Sequence, residues 1–156
     1  MKYVAALLLT LLPIMAQAVQ LGEPLAPWTL LDQHDQPYSL DQETRILLVA
    51  RDMEGAKLVK AALAEQPKGY LEQRDAVFVA DIQRMPALIG KLFAIPAMRD
   101  YNYRVLLDRE GRVADRYPAP EGQVLWLQLD HGKRVAQQNY DSATGLKTAL
   151  ERAAVH

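Results

Sequence analysis

Five consecutive apolar residues, Ile46-Leu47-Leu48-Val49-Ala50, limit what this chain can fold into more than any other feature. A strand without polar alternation must be covered on both faces, which calls for a layered α/β architecture. Arg51-Asp52-Met53-Glu54-Gly55 forms the turn out of that strand. In Ala56 to Gln66, an amphipathic helix pattern, Ala56, Val59, Ala62, Leu63 and Gln66 recur at three- and four-residue spacing, with Lys57, Lys60 and Glu65 largely on the other face. Asp52 and Glu54 stand where negative charge favours a helix N-terminus, and Pro67-Lys68-Gly69 ends the helix. After a polar connection from Tyr70 to Asp75, Ala76-Val77-Phe78-Val79-Ala80 reads as a second buried strand. Strand, helix and strand in this order predict a right-handed βαβ unit with parallel strands.

The remaining elements attach to that unit. Trp28-Thr29-Leu30-Leu31 and Pro37-Tyr38-Ser39-Leu40 flank the polar turn Asp32 to Gln36, a β-hairpin pattern with His34 at its tip. Met85-Pro86 opens a mostly apolar second helix that Ile95-Pro96 interrupts or kinks. Arg104 to Asp108 is a further strand. Arg112 to Tyr117, after the Arg109-Glu110-Gly111 turn, reads either as its antiparallel partner or as an irregular excursion. Gln123 to Leu129 and Arg134 to Ala136 are the last strands, and Asp141 to Gly145 caps a C-terminal helix carrying Leu146, Ala149, Leu150 and Ala153.

Residues 1–18 read as a signal peptide and 19–156 as one domain. Lys2 precedes an eleven-residue apolar run from Val4 to Ile14, and Ala16-Gln17-Ala18 fits a cleavage site before Val19. The expected address is the periplasm. Cysteine is absent from all 156 residues, although an oxidising compartment is where disulfides are usually formed and used. Thiol nucleophiles, disulfides and cysteine-ligated metals are therefore excluded. A formal net charge of −1 over the whole chain gives no reason to expect nucleic acid or, once the leader is removed, a membrane. Neither His34 nor His131 has a second ligand at metal spacing. Met53, Met85 and Met98 read as packing residues rather than a soft copper site. Phosphate-loop, dinucleotide, zincin and serine-hydrolase motifs are missing, so no cofactor and no metal are expected.

Several segments resemble the thioredoxin-like superfamily in its peroxiredoxin-type branch. They are the opening Leu21-Gly22-Glu23-Pro24-Leu25-Ala26-Pro27-Trp28-Thr29-Leu30-Leu31-Asp32, the Ser39-Leu40 pair before the Ile46 strand, and Val105 to Val113 with its acidic-x-x-Gly turn. The resemblance implies a three-layer sandwich with a central mixed sheet and an N-terminal β-hairpin. It also implies redox cysteines at the helix start and often a cis-proline before the later strand. This sequence has Arg51-Asp52-Met53-Glu54-Gly55 at the first position and Tyr101-Asn102-Tyr103 at the second, so no catalytic residue carries over and the member is expected to be redox-inactive.

Ligands of open α/β sheets collect beyond the carboxyl ends of the parallel strands. That rule nominates Arg51, Asp52, Met53, Glu54, Asp81 and Arg84, with Tyr101, Asn102 and Tyr103 nearby, as a binding cluster for a neutral or zwitterionic partner such as a periplasmic protein or peptide. Helix N–H groups and the two arginines would hold it. A solvated ion-pair cluster with Asp52 as a helix cap accounts for the same residues. The functional expectation is a binding or adaptor module. The alternatives are a non-thiol enzyme using Arg51, Asp52 and Asp81, and a structural subunit.

Overall fold

The computed structural model describes residues 22–156, so the expected signal peptide lies outside the described residues. A hairpin of β1 (Thr29–Leu31) and β2 (Pro37–Ser39) precedes β3 (Ile46–Ala50), α1 (Met53–Leu63) and β4 (Ala76–Asp81). A helical segment follows, made of α2 (Ala87–Ile89), a π-turn (Gly90–Ala94) and α3 (Ile95–Met98). β5 (Leu106–Asp108), β6 (Val124–Asp130), β7 (Lys133–Tyr140) and α4 (Ala143–Arg152) complete the chain. The main sheet has the order β5-β4-β3-β6-β7. β3, β4 and β5 run parallel, whereas β6 and β7 are antiparallel additions on the other side of β3.

β3 is buried along its whole length because its two faces serve two cores. Ile46, Leu48 and Ala50 point toward the helices and meet Val59, Ala62, Leu63, Leu146 and Leu150. Leu47 and Val49 point the other way, into Trp28, Leu30, Tyr117, Leu125 and Leu127. The result is a three-layer α/β sandwich: helices, a central mixed sheet, and the hairpin with the 113–119 loop. Each fully buried aliphatic side chain contributes about 2 kcal/mol of transfer free energy, which explains why no polar residue interrupts β3.

Polar side chains fasten the layers where backbone pairing stops. Asp32 shapes the hairpin turn by accepting the N–H groups of His34 (2.7 Å) and Gln36 (3.0 Å). Gln33, buried beside it, donates to the Tyr103 carbonyl (2.8 Å) and accepts from the Val105 N–H (2.9 Å). The Tyr70–Asp75 connection is less polar than its sequence suggests. Tyr70, Leu71 and Arg74 are buried, and the Arg74 guanidinium lies 3.7 Å from the Tyr70 ring centroid while donating to the Leu150 carbonyl at 2.7 Å.

The segment after β5 is the irregular excursion, not an antiparallel strand. It turns through a 3-10 stretch at Ala114–Arg116. The Asp108 carboxylate, only 1% exposed, accepts the N–H groups of Arg112 (3.1 Å), Val113 (2.8 Å) and Ala114 (2.7 Å). Replacing Asp108 with Ala strands the two inner donors, Val113 and Ala114, each costing on the order of 1–3 kcal/mol. Urea denaturation should show Asp108→Ala destabilised by about 3 kcal/mol or more. A variant within about 0.5 kcal/mol of the parent, the range of ordinary surface changes, would contradict this role.

Candidate functional site

The parallel strands β3 and β4 end at Ala50 and Asp81. Their side chains and the start of α1 therefore converge on one crevice, as expected for an open parallel sheet. The helix begins at Met53, three residues before the amphipathic pattern becomes visible, because Asp52 caps it. Asp52 is extended (φ −149°, ψ 174°), and its Oδ1 accepts the Gly55 N–H at 2.8 Å. Its Oδ2 accepts the Gly122 N–H, also at 2.8 Å, from the loop leading into β6. One carboxylate thus ties the helix start to a loop seventy residues downstream. Gly55 sits so close to that loop that a Cβ there would lie 2.5 Å from the Gln123 carbonyl oxygen.

The other charges around the crevice are held more loosely. Glu54 pairs with Lys57 at 3.0 Å, both exposed. Arg51 reaches Glu121 at 3.8 Å and the Ala119 carbonyl at 3.5 Å, long contacts that leave its guanidinium largely available. Asp81 accepts the N–H (3.0 Å) and the side-chain amide (2.8 Å) of Gln83, and that amide also reaches Asp115 at 3.1 Å. Arg84 is exposed and has no ion-pair partner among the described residues.

Between the start of α1 and the 82–98 segment runs a groove of about 520 Å³. Met53, Ile82, Met85, Pro86, Ile89 and Met98 supply most of its apolar wall, and Arg51, Asp81 and Arg84 stand at its polar edge. Those same three residues border an adjoining polar cavity of about 210 Å³ that includes Gln83, Asp115 and Tyr117. Arg51, Asp52, Met53, Glu54, Asp81 and Arg84 are therefore brought together. All three methionines line this one groove; Met98 also packs against the core as expected, whereas Met53 is 59% exposed. Ile82, Met85, Pro86, Ile89 and Met98 were not nominated from sequence. Their apolar run reads equally well as a buried helix, and only its acid-free character hinted otherwise.

Tyr101, Asn102 and Tyr103 lie elsewhere. β5 is parallel to β4, so the loop that feeds it sits at the opposite end of the sheet from the crevice. There the Asn102 side chain contacts the Gln66 carbonyl past the end of α1 (3.5 Å), and Lys60 lies 5.0 Å from the Tyr101 ring. Tyr101 and Tyr103 stack with centroids 5.1 Å apart. Burial, and secondarily Tyr101, pushes the Tyr103 phenol well above its ordinary range, so it keeps its proton and serves packing. The loop that flanks the helix start is the one before β6. One of the helix N–H groups expected to hold a ligand is occupied, since Gly55 donates to Asp52.

No protein-family model matches the chain, and no curated protein does. Solved structures do. A putative thiol:disulfide interchange protein DsbE from Chlorobium tepidum superposes with a TM-score of 0.57 at 17% identity, covering 85% of this chain and 94% of that one. The peroxidoxin BcpB of Mycobacterium tuberculosis gives 0.54 at 18% identity, covering 85% and 96%. A thio-disulfide isomerase from Thermus thermophilus gives 0.53 at 22% identity, covering 88% and 99%.

The fold is thioredoxin-like.

On this thioredoxin-like scaffold the chain has no cysteine at the helix start or anywhere else, and it therefore has no thiol redox activity. A thioether is no substitute, because it cannot form a mixed disulfide. What occupies the position is a clasp: Asp52 between two backbone amides, with Gly55 pressed on the loop. Gly55→Ala tests that closeness. Alanine is the better helix former by about 1 kcal/mol, but crowding of backbone by a new methyl typically costs about 1–3 kcal/mol. The variant should be less stable than the parent by about 1–2 kcal/mol in chemical denaturation. Equal or greater stability would show that the loop is free to retreat.

Proposed function

We propose that this chain is an exported, cysteine-free thioredoxin-like binding module that holds an apolar segment of a partner protein in the groove beside α1. The observation that carries this reading is the groove's composition. Its walls are methionine, isoleucine and proline, and flexible thioethers adapt to varied apolar partners. Polar groups are confined to one edge, where Arg51 and Arg84 can orient a backbone carbonyl or a carboxylate. The export of the module rests on the Lys2, Val4–Ile14 and Ala16-Gln17-Ala18 pattern.

An acid-base enzyme built on Arg51, Asp52 and Asp81 is the weaker reading. Both Asp52 oxygens accept backbone N–H groups, which gives this carboxylate a structural role at the helix start. Asp81 is likewise occupied by Gln83.

Capture from cell-envelope extract, followed by mass spectrometry, tests the binding reading when run in parallel on Met53→Arg and on the Arg51→Ala/Arg84→Ala pair. These positions are exposed or partly exposed, so both variants should stay within about 1 kcal/mol of parental stability. The proteins captured by the parent should fall at least about tenfold, equivalent to about 1.4 kcal/mol of binding. Well-folded variants with unchanged partners would remove the groove as the binding site. Unfolding of the arginine pair would make that cluster structural.

A further inference from the structure

The large apolar side chains that remain exposed are concentrated on one short segment. Leu88 (66%), Ile89 (47%), Leu92 (54%) and Phe93 (66%) fall within six residues, whereas Leu31, Met53, Val135 and Val155 are scattered over other segments. Their i, i+1, i+4, i+5 spacing puts them in one stripe, and the wider π-turn at Gly90–Ala94 keeps residues four and five apart on the same side. From Pro86 to Met98 only Gly90 and Ile95 are buried. Gly90 packs so closely that a Cβ would lie 3.3 Å from the Met85 sulfur. The segment is thus held from beneath at two points, and Leu88, Leu92 and Phe93 project outward from it instead of lining a concavity.

Charge marks the same segment. Ile82 to Arg99 spans eighteen residues with Arg84, Lys91 and Arg99 and no carboxylate. Arg99 contacts Asp35 at 3.7 Å, but Arg84 and Lys91 have no ion-pair partner among the described residues. Of the neighbouring carboxylates, Glu54 is paired with Lys57; Asp81, bonded to the neutral Gln83, and Asp52 line the groove with Arg84 but form no ion pair with it, and Asp100 lies past the far end. The whole-chain charge of −1, which gave no reason to expect a membrane, averages this cationic apolar ridge away.

We propose that this ridge docks on the surface of a bilayer containing anionic phospholipid. Phe and Leu would enter the headgroup boundary while Arg84 and Lys91 meet lipid phosphates. Projecting apolar side chains flanked by cations match that interface; a protein partner would need a complementary acidic concavity. The docking is peripheral, since no helix among the described residues is long and apolar enough to cross a membrane. The proposal shares Arg84 and Ile89 with the groove reading but rests on Leu88, Leu92 and Phe93, which do not line the groove.

The absence of native cysteine makes the test direct. Leu92→Cys, and Val135→Cys on β7 as control, each carry a single polarity-sensitive dye on the full chain. The chains are mixed with vesicles of phosphatidylcholine alone or with phosphatidylglycerol. The dye at 92 should shift to the blue on the phosphatidylglycerol vesicles only, with no shift at 135. Added Arg84→Ala/Lys91→Ala should raise the lipid concentration needed at least about tenfold, consistent with about 1 kcal/mol per basic residue at an anionic surface. Vesicle binding that leaves the 92 dye unshifted would assign it to another part, such as the Val4–Ile14 run, and overturn the proposal. So would equal shifts on both vesicle types, or no vesicle binding. A shift that depends on protein concentration without vesicles would show that a second copy covers the ridge, which also overturns it.

Discussion

The two hydrogen bonds of the Asp52 carboxylate define the functional end of this molecule. One closes the first turn of α1, and the other reaches the loop before β6. An N-cap alone is worth about 1 kcal/mol, but the second bond gives the residue a wider role. It joins the start of α1 to the loop before β6, the strand beside β3, so the helix start and the β6 approach are held together. Gly55 supports this arrangement by having no side chain where the Gln123 carbonyl comes closest.

Such a clasp leaves little there for chemistry. The position where the thioredoxin-like scaffold would carry a reactive sulfur holds instead a carboxylate whose two oxygens each accept a backbone N–H. What the scaffold still provides is shape: parallel strands ending together, a helix rising from one of them, and an apolar wall supplied by the 82–98 segment. The groove and the exposed ridge lie on the two sides of that segment. One gathers methionines inward, and the other turns leucine and phenylalanine outward. A single stretch thereby serves two surfaces.

Much of the fold was readable in the residues because β3 and α1 obey simple rules. Continuous apolarity means burial on both faces, and three- and four-residue spacing means a helix with one buried side. Asp52, Arg51, Asp81 and Arg84 were placed together by the strand-end rule alone. Tyr101 and Tyr103 were expected near the crevice because they match the proline position of the resemblance; the strand they lead into is parallel to β4, which brings its leading loop to the far end. The sequence marks the stretch from Met85 to Met98 as a mostly apolar helix but not its exposure, because apolarity does not say whether another layer is present. Gln33 and Arg74 were missed for a related reason. Their burial depends on carbonyls and amides contributed by distant segments, which local pattern does not encode.

Amide hydrogen exchange at Gly55 and Gly122 tests the clasp most directly. Both N–H groups donate to the same carboxylate, so both should exchange slowly, with protection approaching that of the β3 amides and falling together in Asp52→Ala. Fast exchange at both in the parent protein, while β3 stays protected, would mean that Asp52 holds neither element and that the site is open rather than clasped.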